Sequence, residues 1–590
     1  MSRKGSSRKH GKRKTAAARP PARLAWPVWA RWGVPIVPVV VVLAVFLPAV
    51  DYGFTNYDVP HQLLEYPVAQ RLSASNVVRM FAEPPESSYY PVRTLSFAID
   101  SSVWGRNSDG TLSPWGYHLT NVLLHALSVV LLYRLMLRLR PASQPLGAGV
   151  AEQSTNAEGQ HAIRYAWPIA AALAALLFAL HPVVVEPVVW IAGREEVLTL
   201  LFALLCLHAH RSAVQSGGRR RVAFHVVSAV ACAAASLCNA VAAAIPFIVM
   251  AHDATLVADR RGRPGRILAG TWYLWLIGCG AFVAKWISAP DDRASASANI
   301  PIGKRALVIL DNYFRNIGKL VWPFDLAAIY GEHVPASILA PGVLIGLGLV
   351  VLTLAAMWFA WRRPLMLFGL LWFVFGLAPS SQIVPHHIYR ADRFCYLALP
   401  GLALALAAGG VSLAGLRAVV GKVAAVGALV VGVLLGVRSA DQRRVWHDSF
   451  TLYNHCLRLR PGALAYFNRG LAYDDLVTAR KAKDVNKTLG LALADYTEAI
   501  KCNPAYGRAY DNRGTVYGAL ERYEDALADF NKAIEINPDE PLTYFNRGLT
   551  YEYMKQFDAA RADYEAAIRL APKSVPGRQA AEQLRKLPKE

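Results

Sequence analysis

The chain has 590 residues, 54% of them hydrophobic, yet carries a formal net charge of +22. That pairing excludes an ordinary soluble enzyme, and the length calls for several domains. The positive charge sits in clusters between apolar runs, the pattern of a polytopic membrane protein.

Residues 1–32 read as a basic cytoplasmic tail, with no acid before Gly33. A tail of this kind suits anionic headgroups and the positive-inside rule. Membrane lipids are therefore the expected partner. Nucleic acid is not, because no groove-reading or base-stacking module follows. The run Gly33–Val50 lacks a small-residue cleavage site and reads as an uncleaved span.

Crossing a hydrocarbon core of roughly 30 Å takes about 20 apolar residues, or fewer when flanking groups snorkel. Eleven spans are expected, near 33–50, 116–136, 166–182, 190–208, 222–237, 240–254, 268–289, 338–360, 365–379, 396–415 and 422–438. The pair between 222 and 254 could instead be one long helix. Lys and Arg in the short connections put the tail, Arg134–Arg140, Arg211–Arg221, Arg260–Arg266 and Arg362–Arg363 on the cytoplasmic side. Loops 51–115, 182–190, 290–337 and 380–395 then lie together on the far side, as does everything after 438. The first of these loops is too long for a connector and carries Asp51, Asp58, Glu65, Arg71, Arg79 and Asp100. The 290–337 loop contains an amphipathic stretch.

The central stretch 176–205, LLFALHPVVVEPVVWIAGREEVLTLLFALL, holds His181, Glu186, Arg194 and Glu195 between two apolar arms. Pro182 and Pro187 prevent one continuous helix, so a hairpin at the membrane surface is expected. Ionisable groups beside hydrocarbon point to function. The competing reading is that His181 and Glu186 cap helices while Arg194 snorkels. His386, His387, Arg390, Asp392 and Arg393 crowd the short 380–395 loop. The seven cysteines form no CxxC pair. They read as packing residues, and no metal site or disulfide framework is expected. No phosphate-cradling loop, dinucleotide fingerprint or zinc-helix motif is present, so no cofactor is assigned.

After 438 the pattern becomes soluble and repetitive, giving a predicted domain over 439–590. YDNRGTVYGALERYEDALADFNKAIEINP (510–538) recurs 34 residues later as YFNRGLTYEYMKQFDAARADYEAAIRLAP (544–572). These are tetratricopeptide repeats. An earlier copy starts at Tyr466 and carries an insertion near 477–489. Trp446–Pro461 resembles a preceding half-repeat, and 573–588 a cap. The concave face of such a stack suits a protein or peptide partner. The fold class is thus all-α: a membrane domain over 33–438 followed by an α-solenoid.

FALHPVVVEPVVWIAGREEVL resembles the His-Pro…Glu…Trp…Arg hairpin of the transmembrane-and-tetratricopeptide-repeat O-mannosyltransferases, members of the GT-C glycosyltransferase superfamily. The likeness continues in YYPVRTLSFAID (89–100), PWGYHLTNVLLHALSVVLLYRL (114–135), VWPFDLAAIY (321–330) and LAPSSQIV…ADRFCYLALPG (377–401). It implies a GT-C-like membrane domain, a polyprenyl-phosphate-linked sugar donor, and an extracytoplasmic site with a catalytic Asp in the first external loop. A bacterial inner membrane suits the basic tail, with the repeats periplasmic. The acidic position matches Asp58, while the usual second acid is Val59. Cys238, Asn239 and Ala240 stand where relatives often carry Ser-Lys-Glu.

On this reading Asp58 would deprotonate an acceptor hydroxyl, plausibly of a protein Ser or Thr. Arg390 and Arg393, with His386 and His387, would hold the lipid phosphate. His181, Glu186, Arg194 and Glu195 would shape the site, with Glu186 paired to Arg194 or Glu195. Tyr117, His118, Asn121 and His125 are expected to bond between helices. The rival, from another class, is a catalytically silent scaffold that recruits envelope proteins, favoured by Val59 and the 238–240 departure. A transporter is third, because the charges gather at one surface instead of mid-membrane.

Overall fold

The computed structural model describes residues 30, 33–57, 63–82, 89–139, 157–288, 300–331, 334–383, 388–414 and 418–588. Most of the basic tail, Asp58, Val59, His386 and His387 lie outside the described residues. Among the described residues the molecule is helical, with no strand and one isolated bridge between Arg106 and Leu112.

Each expected span falls on a helix. They are Ile36–Phe46, Pro114–Arg138, Ala157–Leu180, Arg194–Val214, Gly218–Ser236, Ile245–Leu256, Pro264–Ser288, Pro341–Ala360, Pro364–Leu377, Leu399–Ala414 and Ala418–Arg444. Length and apolarity qualify four as full spans: Pro114–Arg138, Ile191–Val214, Pro341–Ala360 and Val419–Arg444. A fifth is the bent pair Ala166–Leu180 and Pro182–Val189. Four shorter apolar helices, such as Pro364–Ser380, need a thinned bilayer or snorkelling flanks to cross. Between 222 and 254 there are two helices, because the chain turns at Asn239, whose side chain accepts the Val241 N–H at 3.0 Å. Helices 341–360 and 418–444 expose leucine and valine along their length, as hydrocarbon contact requires.

Among the described residues, the loops on the site side carry helices. Residues 51–115 contain the helices Ala74–Ala82 and Pro91–Val103, and the amphipathic stretch forms Ile302–Val321. Asn121 and His125 do bond between helices. The Asn121 amide donates to the Trp190 carbonyl at 3.2 Å, and His125 Nδ1 lies 2.7 Å from the Tyr396 hydroxyl.

The C-terminal helices pair as Ala463–Thr478 with Val485–Cys502, Gly507–Ala519 with Tyr523–Ile536, and Pro541–Tyr553 with Phe557–Leu570. One arginine rivets each unit. Arg513 forks onto Asp529 at 2.7 and 2.8 Å and donates to Thr497 of the preceding unit. Arg547 repeats this on Asp563 and Asn531, and Arg469 on Asp495 and Asn454. The unit with the insertion therefore keeps the same three-helix clamp. The leading half-repeat, Ser449–Leu459, is sunk into the membrane domain: Trp446, Leu452, Tyr453 and Cys456 share one hydrophobic core with the spans.

Candidate functional site

The polar middle of the central stretch folds as the prolines demand. His181 ends one helix and accepts the Val183 N–H through Nδ1, Pro182 starts a short turn, Pro187 lies in the five-residue helix Val185–Val189, and the chain bends by 55°. Gly193 then passes so close to Pro187 that an added Cβ would come within 2.8 Å of its Cα. The expected surface hairpin is instead buried: Glu186, Trp190 and Arg194 are all at most 4% exposed. Other loops and the half-repeat cover it.

Partners differ from those expected. Glu186 pairs with Arg393, accepting from its guanidinium and also from its backbone N–H at 3.0 Å. Arg194 does not snorkel and does not meet Glu186. It faces Asp100 of the first loop at 2.6 Å and donates to Asn121 Oδ1 and the Tyr117 carbonyl. Glu195 bonds Arg93 at 2.7 Å. His181 turns Nε2 to the Leu320 carbonyl at 3.0 Å. A hairpin charge was bound to find a counterion, but the counterions come from loops 94 and 207 residues away in the chain.

Three aromatic rings close over this network, one from each part of the molecule. Tyr57 of the first loop lies 5.1 Å from Trp190 of the hairpin, which lies 6.0 Å from Trp446 at the entrance to the repeats. Trp190 Nε1 donates to the Tyr57 carbonyl at 2.9 Å, and the Arg393 guanidinium stacks 5.0 Å over the Trp190 ring. The neighbouring Asn56 donates its backbone N–H to the Ser449 hydroxyl oxygen at 2.9 Å and its side-chain amide to the Asn468 carbonyl. The chain leading into Asp58 is thus held between the hairpin and the first repeat.

Arg393 is committed to Glu186, whereas Arg390 donates to the Gly331 carbonyl at 2.8 Å beside Tyr330. Burial, together with Arg315 and Arg460, pushes the Arg390 guanidinium down to about 10. Lys319, Tyr330 and Asp392 join here: the Tyr330 hydroxyl donates to Asp392 at 2.5 Å, and Lys319 stands 3.1 Å from the same oxygen. Sequence reading named neither Lys319 nor Arg460. Tyr330 closes the VWPFDLAAIY motif and Lys319 stands two residues before its start, so that motif was the available signal. At the departure from the family pattern, the Asn239 side chain bonds the buried Glu196, so the carboxylate keeps a polar partner where a lysine is usual. Elsewhere, His210, His252 and Asp253 bring their ligand atoms within 4.8 Å of one another. Arg260 already pairs with Asp253, so a cation's place is taken by the guanidinium.

The repeat region matches two family models, a TPR repeat at 516–555 and a tetratricopeptide repeat at 541–574. Among solved structures, the Arabidopsis OM64 TPR domain is 28% identical over 21% of this chain and 94% of its own, with a TM-score of 0.19. Among curated proteins, the protein O-mannosyl-transferase Tmtc3 of Drosophila melanogaster is 33% identical over 141 residues, which is 24% of this chain and 14% of the relative. The mouse TMTC2 protein is 36% identical over 21% of this chain and 12% of its own length. Human TMTC4 is 30% identical over 27% and 20% respectively. The alignments therefore span a fifth or less of each of these relatives. The family resemblance seen in the motifs agrees with this: the chain is similar to the protein O-mannosyl-transferases that carry tetratricopeptide repeats.

Proposed function

We propose that this protein is a membrane glycosyltransferase that moves a sugar from a polyprenyl phosphate to a hydroxyl, a serine or threonine of a protein held by the repeats. The reading extends to an extracytoplasmic site in a bacterial inner membrane. One observation carries it. The segment entering Asp58 is clasped by Trp190 on one side and by the start of the repeat domain on the other. That segment thus links the membrane domain, which would hold the donor, to the solenoid, which would hold the acceptor. The names of the similar proteins and the motif order support the same reaction class.

In this reading Asp58 takes the proton of the acceptor hydroxyl as its oxygen bonds the anomeric carbon. The bond from that carbon to the phosphate oxygen breaks, and the lipid phosphate leaves as the anion. Arg390 stabilises that anion, with His386 and His387 as further candidates. Arg393, His181, Glu186, Arg194 and Glu195 hold the loops in place. Tethering the acceptor raises its effective concentration to about millimolar when the linker is short.

The test is transfer from a polyprenyl-phosphate sugar to a peptide by the purified full chain. Asp58→Asn should lower turnover by about 100-fold or more, with the thermal unfolding midpoint unchanged. Wild-type turnover by that variant removes Asp58 as the base. The scaffold reading keeps one observation in its favour, the Asn239 amide facing Glu196 in place of a lysine. Total absence of transfer by the wild type with a panel of lipid-linked sugars would favour it.

A further inference from the structure

Tyr330 is ringed by cations from three separate parts of the chain. Lys319 Nζ lies 3.9 Å from the ring centroid, the Arg460 guanidinium 5.0 Å and the Arg390 guanidinium 6.0 Å. Arg315 stands one turn before Lys319 on the helix Ile302–Val321. Among the described residues, the carboxylates near these four cations are already engaged: Asp311 with Arg315 at 2.6 Å, Asp392 with Lys319 and the Tyr330 hydroxyl, and Glu186, which also feels Lys319, with Arg393. Like charges gathered around one partly buried ring oppose one another unless an anion joins them. The cluster has a floor and a mouth, since Arg390 is 6% exposed while Arg460 is open to solvent.

Arg460 ends the half-repeat helix Ser449–Leu459, so it belongs to the C-terminal domain and not to the membrane domain. We propose that Arg460 reaches across the domain junction to complete, with Arg390 and Arg315, a binding site for a phosphate-ester anion. Planar guanidiniums take phosphate oxygens in a two-point fork, which suits a monoester or diester headgroup better than a carboxylate or chloride. Lys319 and Asp392 fix Tyr330 between them and so set the spacing of the arginines. This deepens the transferase reading: the repeat domain would contribute to the donor site as well as present the acceptor.

The experiment uses the full-length protein in lipid nanodiscs with two probes, a polyprenyl monophosphate and inorganic phosphate, and measures binding by isothermal titration. R460A should weaken binding of the lipid probe at least tenfold, R460K should recover part of it, and R458A, which removes an adjacent surface charge, should leave it unchanged. An effect confined to inorganic phosphate supports the site and assigns it to a free anion. Unchanged binding of both probes by R460A overturns the proposal. Circular dichroism melts of each variant separate lost binding from lost fold, and R460E provides a stronger perturbation at the same exposed position. Should the wild type bind the lipid phosphate through Arg460 yet transfer no sugar, the site stands and the transferase reading falls. If it transfers sugar and R460A leaves the donor KM unaltered, the reverse holds.

Discussion

Glu186 and Arg393 show what a buried charge demands of its surroundings. Both side chains are almost wholly excluded from solvent, and Glu186 accepts two donors from the same residue. Removing one partner leaves the other charge without compensation, a loss of about 3–5 kcal/mol. Glu186→Gln should therefore lower the unfolding midpoint sharply, while Glu186→Gln combined with Arg393→Met should recover most of it. A single variant that melts with the wild type would mean the pair is not closed. Asp511 gives a pH-dependent counterpart in the soluble repeats. Burial raises its carboxyl to about 6, against weaker lowering by Thr543 and Asn546. The folded form then holds a proton that the unfolded chain releases near its ordinary value, so this group favours the fold below about pH 4 and loses that contribution as pH rises through about 6. Asp511→Asn should raise the melting midpoint at pH 7.5 and have little effect at pH 4. Equal gains at both values would contradict the shift. The sequence hinted at this site, because Asp511 stands where the flanking repeats carry Phe467 and Phe545.

At the scale of an element, the repeats were the most legible part of the chain, and the reason is local. Each unit's helices contact one another within about 34 residues, so spacing alone reveals them. Gly514 lies against Phe530, where an added Cβ would come within 2.9 Å of the ring. Gly514→Ala must push the two helices apart and should destabilise the repeats by about 1–3 kcal/mol. Gly490, exposed in helix Val485–Cys502, has nothing within 4 Å of that position. Gly490→Ala should instead stabilise by about 0.5–1 kcal/mol through lower backbone entropy in the unfolded chain. Chemical denaturation of the two variants decides this, and a matching loss at both positions would contradict the packing. Membrane helices were legible in the same way, from runs of apolar residues. Their partners were not. Arg194 reads naturally with Glu186 eight positions earlier, but the helix breaks at Trp190 between them and Arg194 meets Asp100 instead. Loop contacts across 207 residues, as between Glu186 and Arg393, leave no trace in spacing.

For the molecule as a whole, the decisive feature is that the repeats and the polar loops occupy one side. Gly53 donates to the His447 carbonyl, Asn56 bonds Ser449 and Asn468, and Arg443 donates to the Tyr52 hydroxyl. On the other side of the junction, His455 Nε2 meets the Leu326 carbonyl at 2.9 Å, and the Gln442 amide donates to the same oxygen at 3.2 Å. Bonds of this reach cannot cross about 30 Å of hydrocarbon, so the first loop, the 322–331 segment and the solenoid share a compartment. We propose, from the charge in the short connections, that this compartment lies outside the cytoplasm. Cys502 is exposed in the first full repeat and offers a native reporter. In sealed cells a membrane-impermeant maleimide should label Cys502 together with a cysteine introduced at Leu64, an exposed first-loop position. Labelling of both only after the cells are opened would keep the domain arrangement but reverse its orientation, and a lipid-linked donor would then have to be met on the cytoplasmic face. Labelling from opposite sides would contradict the junction itself. With it would go the clasp on the segment leading to Asp58, on which the transferase reading depends.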